Sequence, residues 1–139
     1  MAKNNYDKFE VIILGVIFNP KTKKILIGKR KEKKVISEAT WCFPGGMAVC
    51  GEDIDKTLKR SIKENTGYSI KNLGAIFSKT YPEKENLLAV YFLTEVFEGK
   101  ENPWGNIAEL KWVSPKELEN YFTHDFHKKL RQYLIELVE

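Results

Sequence analysis

From Glu10 to Phe18 the chain reads EVIILGVIF, a β-branched, apolar run that stops at the turn pair Asn19-Pro20, and apolar character resumes in KILIG, Lys24 to Gly28. Two short apolar runs split by a turn signal predict a hairpin. A polar stretch from Lys29 to Thr40 leads into Trp41-Cys42-Phe43-Pro44-Gly45-Gly46, where one proline and paired glycines permit a tight turn or an unusual backbone path beside a ligand. The period then changes. Ile54, Leu58 and Ile62 recur every four residues, which predicts an amphipathic helix with Asp53 as N-cap and Gly67 at its C-terminal end. Leu73 to Phe77 and Leu87 to Phe97 read as strands separated by the charged segment Tyr81 to Asn86, and the second is apolar enough to be central. Glu109 to Val113 predicts a last short strand. Ser114-Pro115, a cap residue with proline at the first helical position, opens two helical segments, Pro115 to Tyr121 and about Asp125 to Val138. The order is strands, helix, strands, helices, with no repeat or Gly/Ser linker, and it predicts an α+β domain in which helices pack on a mixed or antiparallel sheet.

Composition narrows this to one domain over residues 1–139, since 139 residues with 42% hydrophobic content leave little room for a second core. The apolar runs are too short to span a bilayer, and MAKNNYDKFE lacks the apolar stretch of a signal peptide, so a soluble, cytoplasmic protein with no membrane partner is expected. Cys42 and Cys50 form no CxxC pair and have no zinc-ligand spacing to the histidines, which predicts free thiols. The net charge of +4 is uneven: Lys29-Arg30-Lys31-Glu32-Lys33-Lys34 holds five basic residues in six positions. That run, Arg30 included, can attract phosphate, but charge runs more often form a solvated face, and nucleic-acid binding is disfavoured. The oligomeric state is left open, with a homodimer among the options.

The segment Gly46 to Tyr68, GMAVCGEDIDKTLKRSIKENTGY, resembles the signature of the Nudix (MutT-like) hydrolase family. That pattern is a Gly, five residues, Glu, seven residues, then Arg-Glu-hydrophobic-x-Glu-Glu-x-Gly-hydrophobic. Gly46, Glu52, Arg60, Ile62, Glu64, Gly67 and Tyr68 match it in register. The preceding WCFPGG and the downstream ELKWVSPKEL are similar to the family's approach to its box and to its last strand and helix entry. The resemblance implies the Nudix fold, a mixed β-sheet packed between α-helices. It also implies hydrolysis of a pyrophosphate bond in a nucleoside diphosphate derivative with Mg²⁺ or Mn²⁺. The box is degenerate, because Ser61 and Asn65 stand where the pattern expects Glu.

Residues 60, 61, 64 and 65 are neighbours on one helical face, and only Glu64 keeps a carboxylate there. Glu64, the Asn65 amide oxygen and the Gly45 or Gly46 carbonyl are therefore the candidate ligands of a weakly bound Mg²⁺ or Mn²⁺. A serine hydroxyl has no useful proton affinity near neutral pH, so Ser61 cannot be a general base, and Glu64, Glu83 or its neighbour Glu85, and Glu109 are the carboxylates left for catalysis. Glu52 is expected to be engaged by Arg60, fixing the loop against the helix in a structural role with Gly67. Trp41, Phe43, Tyr81 and Trp104 are ring candidates for stacking a base, with Trp41 and Tyr81 foremost and Arg30, Gly45 and Gly46 beside them as ligand contacts. His124 and His127 suit surface or capping roles, and Asp53 and Asp55 suit the helix N-terminus. Two functions follow: a metal-dependent hydrolase of a small nucleotide or other phosphorylated substrate, or a catalytically impaired Nudix domain that binds nucleotides or a protein partner.

Overall fold

Six consecutive residues of strand β1 (Glu10–Asn19), Ile12 to Ile17, are buried, and a strand buried on both faces needs a sheet covered on both sides. The computed structural model, which describes residues 8–31, 40–81, 84–122 and 126–138, supplies that arrangement. The strands β1, β2 (Lys24–Arg30), β3 (Trp41–Cys42), β4 (Gly45–Met47), β5 (Tyr68–Tyr81), β6 (Lys84–Gly99) and β7 (Ile107–Val113) form one mixed sheet. Its order is β3-β2-β1-β6-β5, with β4 paired to β1 and β7 to β2. β1 runs parallel to β6, Glu10 opposite Leu87 through Phe18 opposite Glu95, and the remaining pairings are antiparallel.

Helix α1 (Ile54–Thr66) covers one face, where Leu58 and Ile62 are fully buried against Ile13, Ile17, Leu26 and Ile70. Burial of each such side chain contributes roughly 1.5–3 kcal/mol. The other face, with Ile12, Leu14, Val16, Ile25, Ile27 and Tyr91, is covered by Leu118 of α2 (Leu118–Tyr121) and by Leu130 and Leu134 of α3 (Lys128–Leu137). The fold is thus α+β, a mixed sheet between helices. No helix among the described residues is long and apolar enough to cross a membrane.

Several boundaries differ from expectation. The segment Trp41 to Gly46, read as a loop or tight turn, instead contributes two short strands, because Trp41 and Cys42 pair with β2 and Gly45 to Met47 pair with β1. β5 and β6 run well beyond the predicted cores, since each supplies the other's ladder from Tyr68–Gly99 to Tyr81–Lys84, with register shifts along the way. The helix expected from Pro115 begins as a 3-10 turn, Pro115–Glu117, behind a capping box in which the Ser114 hydroxyl and N–H both donate to Glu117. The last helix begins at Lys128, where His127 Nδ1 accepts from the Lys129 N–H at 3.1 Å. Helix α1 keeps its predicted caps: Asp53 accepts from the Lys56 N–H at 3.1 Å, and Gly67 adopts φ +84° with its N–H on the Lys63 carbonyl.

Candidate active site

The loop between β4 and α1 is held by a charged knot. Arg60 Nη1 donates to Glu52 Oε1 at 2.5 Å, and the Thr57 hydroxyl donates to the same oxygen. These bonds, Thr57 first and Arg60 next, hold the Glu52 carboxyl below the ordinary carboxylate range. Arg60 Nε also lies 3.8 Å from Glu64 Oε1 one turn along, so the single acidic residue of the box patch is drawn toward a cation of its own helix.

The other end of α1 is held mainly by neutral bonds, with one charged contact in which Lys63 Nζ donates to the Gly67 carbonyl at 3.0 Å. Asn65 Nδ2 donates to the Gly45 carbonyl at 2.9 Å, joining α1 to β4. Its own carbonyl accepts from the Trp104 N–H at 3.1 Å, and the Thr66 carbonyl accepts from the Asn102 N–H at 2.8 Å, so the segment before β7 caps the helix. Gly45 must be glycine here, because a Cβ would lie 2.0 Å from the Ile13 carbonyl oxygen. A Cβ on Gly46 would lie 2.7 Å from the buried Ser61 Oγ, so the serine is packed against the loop backbone. Gly15 N–H bonds the Pro44 carbonyl and Ala48 N–H bonds the Val11 carbonyl, each at 2.7 Å. Alternation along an antiparallel pair then makes Ile13 and Gly46 the hydrogen-bonded pair between them, which aims the Gly46 carbonyl at β1. Gly46, expected as a carbonyl ligand, therefore spends that oxygen on the ladder.

The remaining candidates are scattered around this core. Glu64 is 57% exposed on α1. Glu109 is exposed on β7 opposite Lys29, and strand alternation puts it on the face of Val113, the side of α2 and α3, whereas α1 covers the face of Leu110 and Trp112. Glu83 and His124 lie outside the described residues. Half-buried Arg30 ends β2 and bonds the Cys42 thiol, whose pKa burial raises despite the guanidinium beside it. Among the rings, Trp41 packs edge-on against Tyr121 at 5.2 Å, Phe43 is buried against Tyr91 and Phe122, and Tyr81 shares a 3.1 Å hydroxyl contact with Tyr91 while Lys79 lies over its ring. Trp104 differs: its backbone is tied to Asn65 and its side chain is 65% exposed. Thr57 and the tether of Trp104 were not anticipated. The hydroxyl four residues after the cap residue Asp53 was a readable signal for the first, and none existed for the second.

The family model of the NUDIX domain matches residues 8–134. The chain belongs to the Nudix family. It is 26% identical over 129 residues to an ADP-ribose pyrophosphatase of Methanocaldococcus jannaschii, covering 89% of this chain and 72% of that one. It is 27% identical over 129 residues to an 8-oxo-dGTP diphosphatase of Buchnera aphidicola, covering 88% and 97%. Among solved structures it is similar to a MutT protein from Methanosarcina mazei, with a TM-score of 0.73 at 17% identity over 97% of this chain and 96% of that one.

Nudix proteins generally use divalent metals, but the residues of this box do not fit a resident ion. Among the described residues no group of three or more His, Cys, Asp or Glu converges to hold a metal. The Asn65 amide presents a nitrogen, not the expected oxygen, and that nitrogen already occupies the Gly45 carbonyl. What the Nudix box retains is a braced turn: a neutralised Glu52–Arg60 pair, a glycine backbone pressed on β1, and, among positions 60, 61, 64 and 65, a single carboxylate, Glu64.

Proposed function

We propose that this chain is a cytoplasmic, single-domain Nudix hydrolase that cleaves a pyrophosphate bond in a nucleoside diphosphate derivative. The observation that carries the reading is the family match over residues 8–134, joined to a box whose loop-fixing residues, Glu52, Thr57 and Arg60, are engaged with one another. The activities named for the two relatives, on ADP-ribose and on 8-oxo-dGTP, support a small nucleotide as substrate. The two free cysteines are in keeping with a reducing compartment. Glu64 is the carboxylate we assign to the phosphate side of the site. Mg²⁺ or Mn²⁺ would draw most of its oxygen ligands from the substrate's own phosphates. Trp104 is the ring we assign to the base, since Trp41 and Tyr81 are engaged in protein contacts while Trp104 is exposed and its backbone N–H is bonded to the Asn65 carbonyl.

A second reading, a nucleotide-binding Nudix domain with impaired hydrolysis, is favoured by the buried Ser61 and the donor role of Asn65. Release of phosphate or nucleoside monophosphate, with Mg²⁺ or Mn²⁺ present, separates the two across ADP-ribose, nucleoside triphosphates and dinucleoside polyphosphates. Turnover of at least one is expected. Saturable nucleotide binding without turnover on any of them leaves only the second reading. Trp104→Ala is expected to raise KM on the order of tenfold with kcat little changed, as loss of about 1–3 kcal/mol of base stacking predicts.

A further inference from the structure

We propose that the Asn65 amide does in this protein what a bound cation would otherwise do, closing the gap between α1 and β4, so that the free protein needs no divalent ion at its box. The Gly45 carbonyl only accepts, so the amide group that meets it at 2.9 Å must be the nitrogen, and turning the amide over would set two acceptor oxygens against each other. An ion at this point would have to share that carbonyl with an amide whose N–H hydrogens turn positive charge toward it. The neighbouring oxygens offer no alternative. The Gly46 carbonyl faces the Ile13 N–H in the ladder, the Ser61 hydroxyl is packed on Gly46, and Glu64 lies beside Arg60. A hard divalent cation usually takes one or two carboxylates along with other oxygens, and the one carboxylate here is opposed by a guanidinium.

The closure is also braced from behind. Asn65 and Thr66 carbonyls accept from Trp104 and Asn102, and Gly67 sits so close to the Lys100 carbonyl that a Cβ would lie 2.1 Å from it. The Asn65 side chain is therefore presented to Gly45 by a fixed backbone, and Gly105, at φ +67°, passes close to its Oδ1. Nothing in this arrangement depends on whether a substrate is turned over.

The test uses the whole 139-residue chain without nucleotide. Mn²⁺ titration followed by electron paramagnetic resonance is expected to show no saturable site in the wild type, and Mg²⁺ or EDTA is expected to move Tm by less than roughly 1 °C. Asn65→Glu removes the donor and pairs a second carboxylate with Glu64, and it is expected to tighten Mn²⁺ binding on the order of tenfold or more. Asn65→Asp repeats the experiment with a smaller side chain if the glutamate variant does not fold. Saturable Mn²⁺ binding by the free wild type, or a Mg²⁺-dependent rise in its Tm, overturns the proposal. So does an acidic variant that binds Mn²⁺ no better than the wild type. Hydrolysis is scored separately: absence of turnover with absence of ion binding counts against the proposed activity and for this inference.

Discussion

The two ends of helix α1 are fastened by opposite kinds of chemistry. At the N-terminal end, Glu52, Thr57 and Arg60 form a charged knot on an exposed loop. At the C-terminal end, a neutral amide and two backbone bonds join the helix to β4 and to the segment before β7, with Gly67 pressed against the Lys100 carbonyl. The first fastening responds to pH and salt, whereas the second rests mostly on neutral bonds and close backbone approach, the Lys63 ammonium on the Gly67 carbonyl being its one charged member. In a Nudix box these ends sit on either side of the residues expected to handle phosphate, so the contrast separates what shapes the site from what charges it.

The most severe way to break the contrast is Gly67→Ala. It combines φ +84° with a Cβ 2.1 Å from a backbone oxygen, and a loss of about 3–4 kcal/mol, or failure to fold, is expected by urea denaturation. Next is Glu52→Gln, which should separate the ends by pH. The Glu52 carboxyl is held below its ordinary value, so its stabilising contribution is present above the usual carboxylate range of about 4.3 and is lost as pH falls through the lowered value. The variant should therefore be less stable than the wild type at pH 7, with the gap closing under acid. A constant gap across pH would show that the knot acts by shape alone. Asn65→Ala is expected to cost about 1 kcal/mol with no pH dependence of its own, the net worth of a neutral hydrogen bond. The smallest effect belongs to Ser114→Ala, away from both ends, at roughly 0.5–1 kcal/mol for a lost cap.

Helix α1 was legible because Asp53, Gly67 and the four-residue recurrence of Ile54, Leu58 and Ile62 act locally. The hairpin of β1 and β2 was legible for the same reason, since Asn19-Pro20 interrupts two apolar runs. Strands β3 and β4 were not, because two or three residues carry no periodicity and become strands only through partners supplied from elsewhere. The engagement of Glu52 by Arg60 follows from opposite charges that the loop brings back onto the helix. The Asn65 contact was misread in its polarity. The side chain was expected to offer oxygen, and what decides otherwise is the Gly45 carbonyl, placed twenty residues upstream by the pairing of β4 with β1. Trp41 and Tyr81 looked available in sequence because the residues that engage them reach them only through the folded sheet: Tyr121 is far along the chain, and Tyr91 is brought to Tyr81 by the pairing of β5 with β6.

The parallel pairing of β1 with β6 carries a consequence for the order of events during synthesis. β1 leaves the ribosome well before β6, its neighbour on one side, so the central strand stays half-partnered until β6 has emerged. Gly45 is seated against Ile13 of that same strand, and the helix end that reaches Gly45 is capped by residues after β6. Such non-local closure is slow relative to hairpin and helix formation. The folded Nudix box is thus among the later parts of the molecule to take shape, and a nascent chain arrested before β6 has the box sequence without the box.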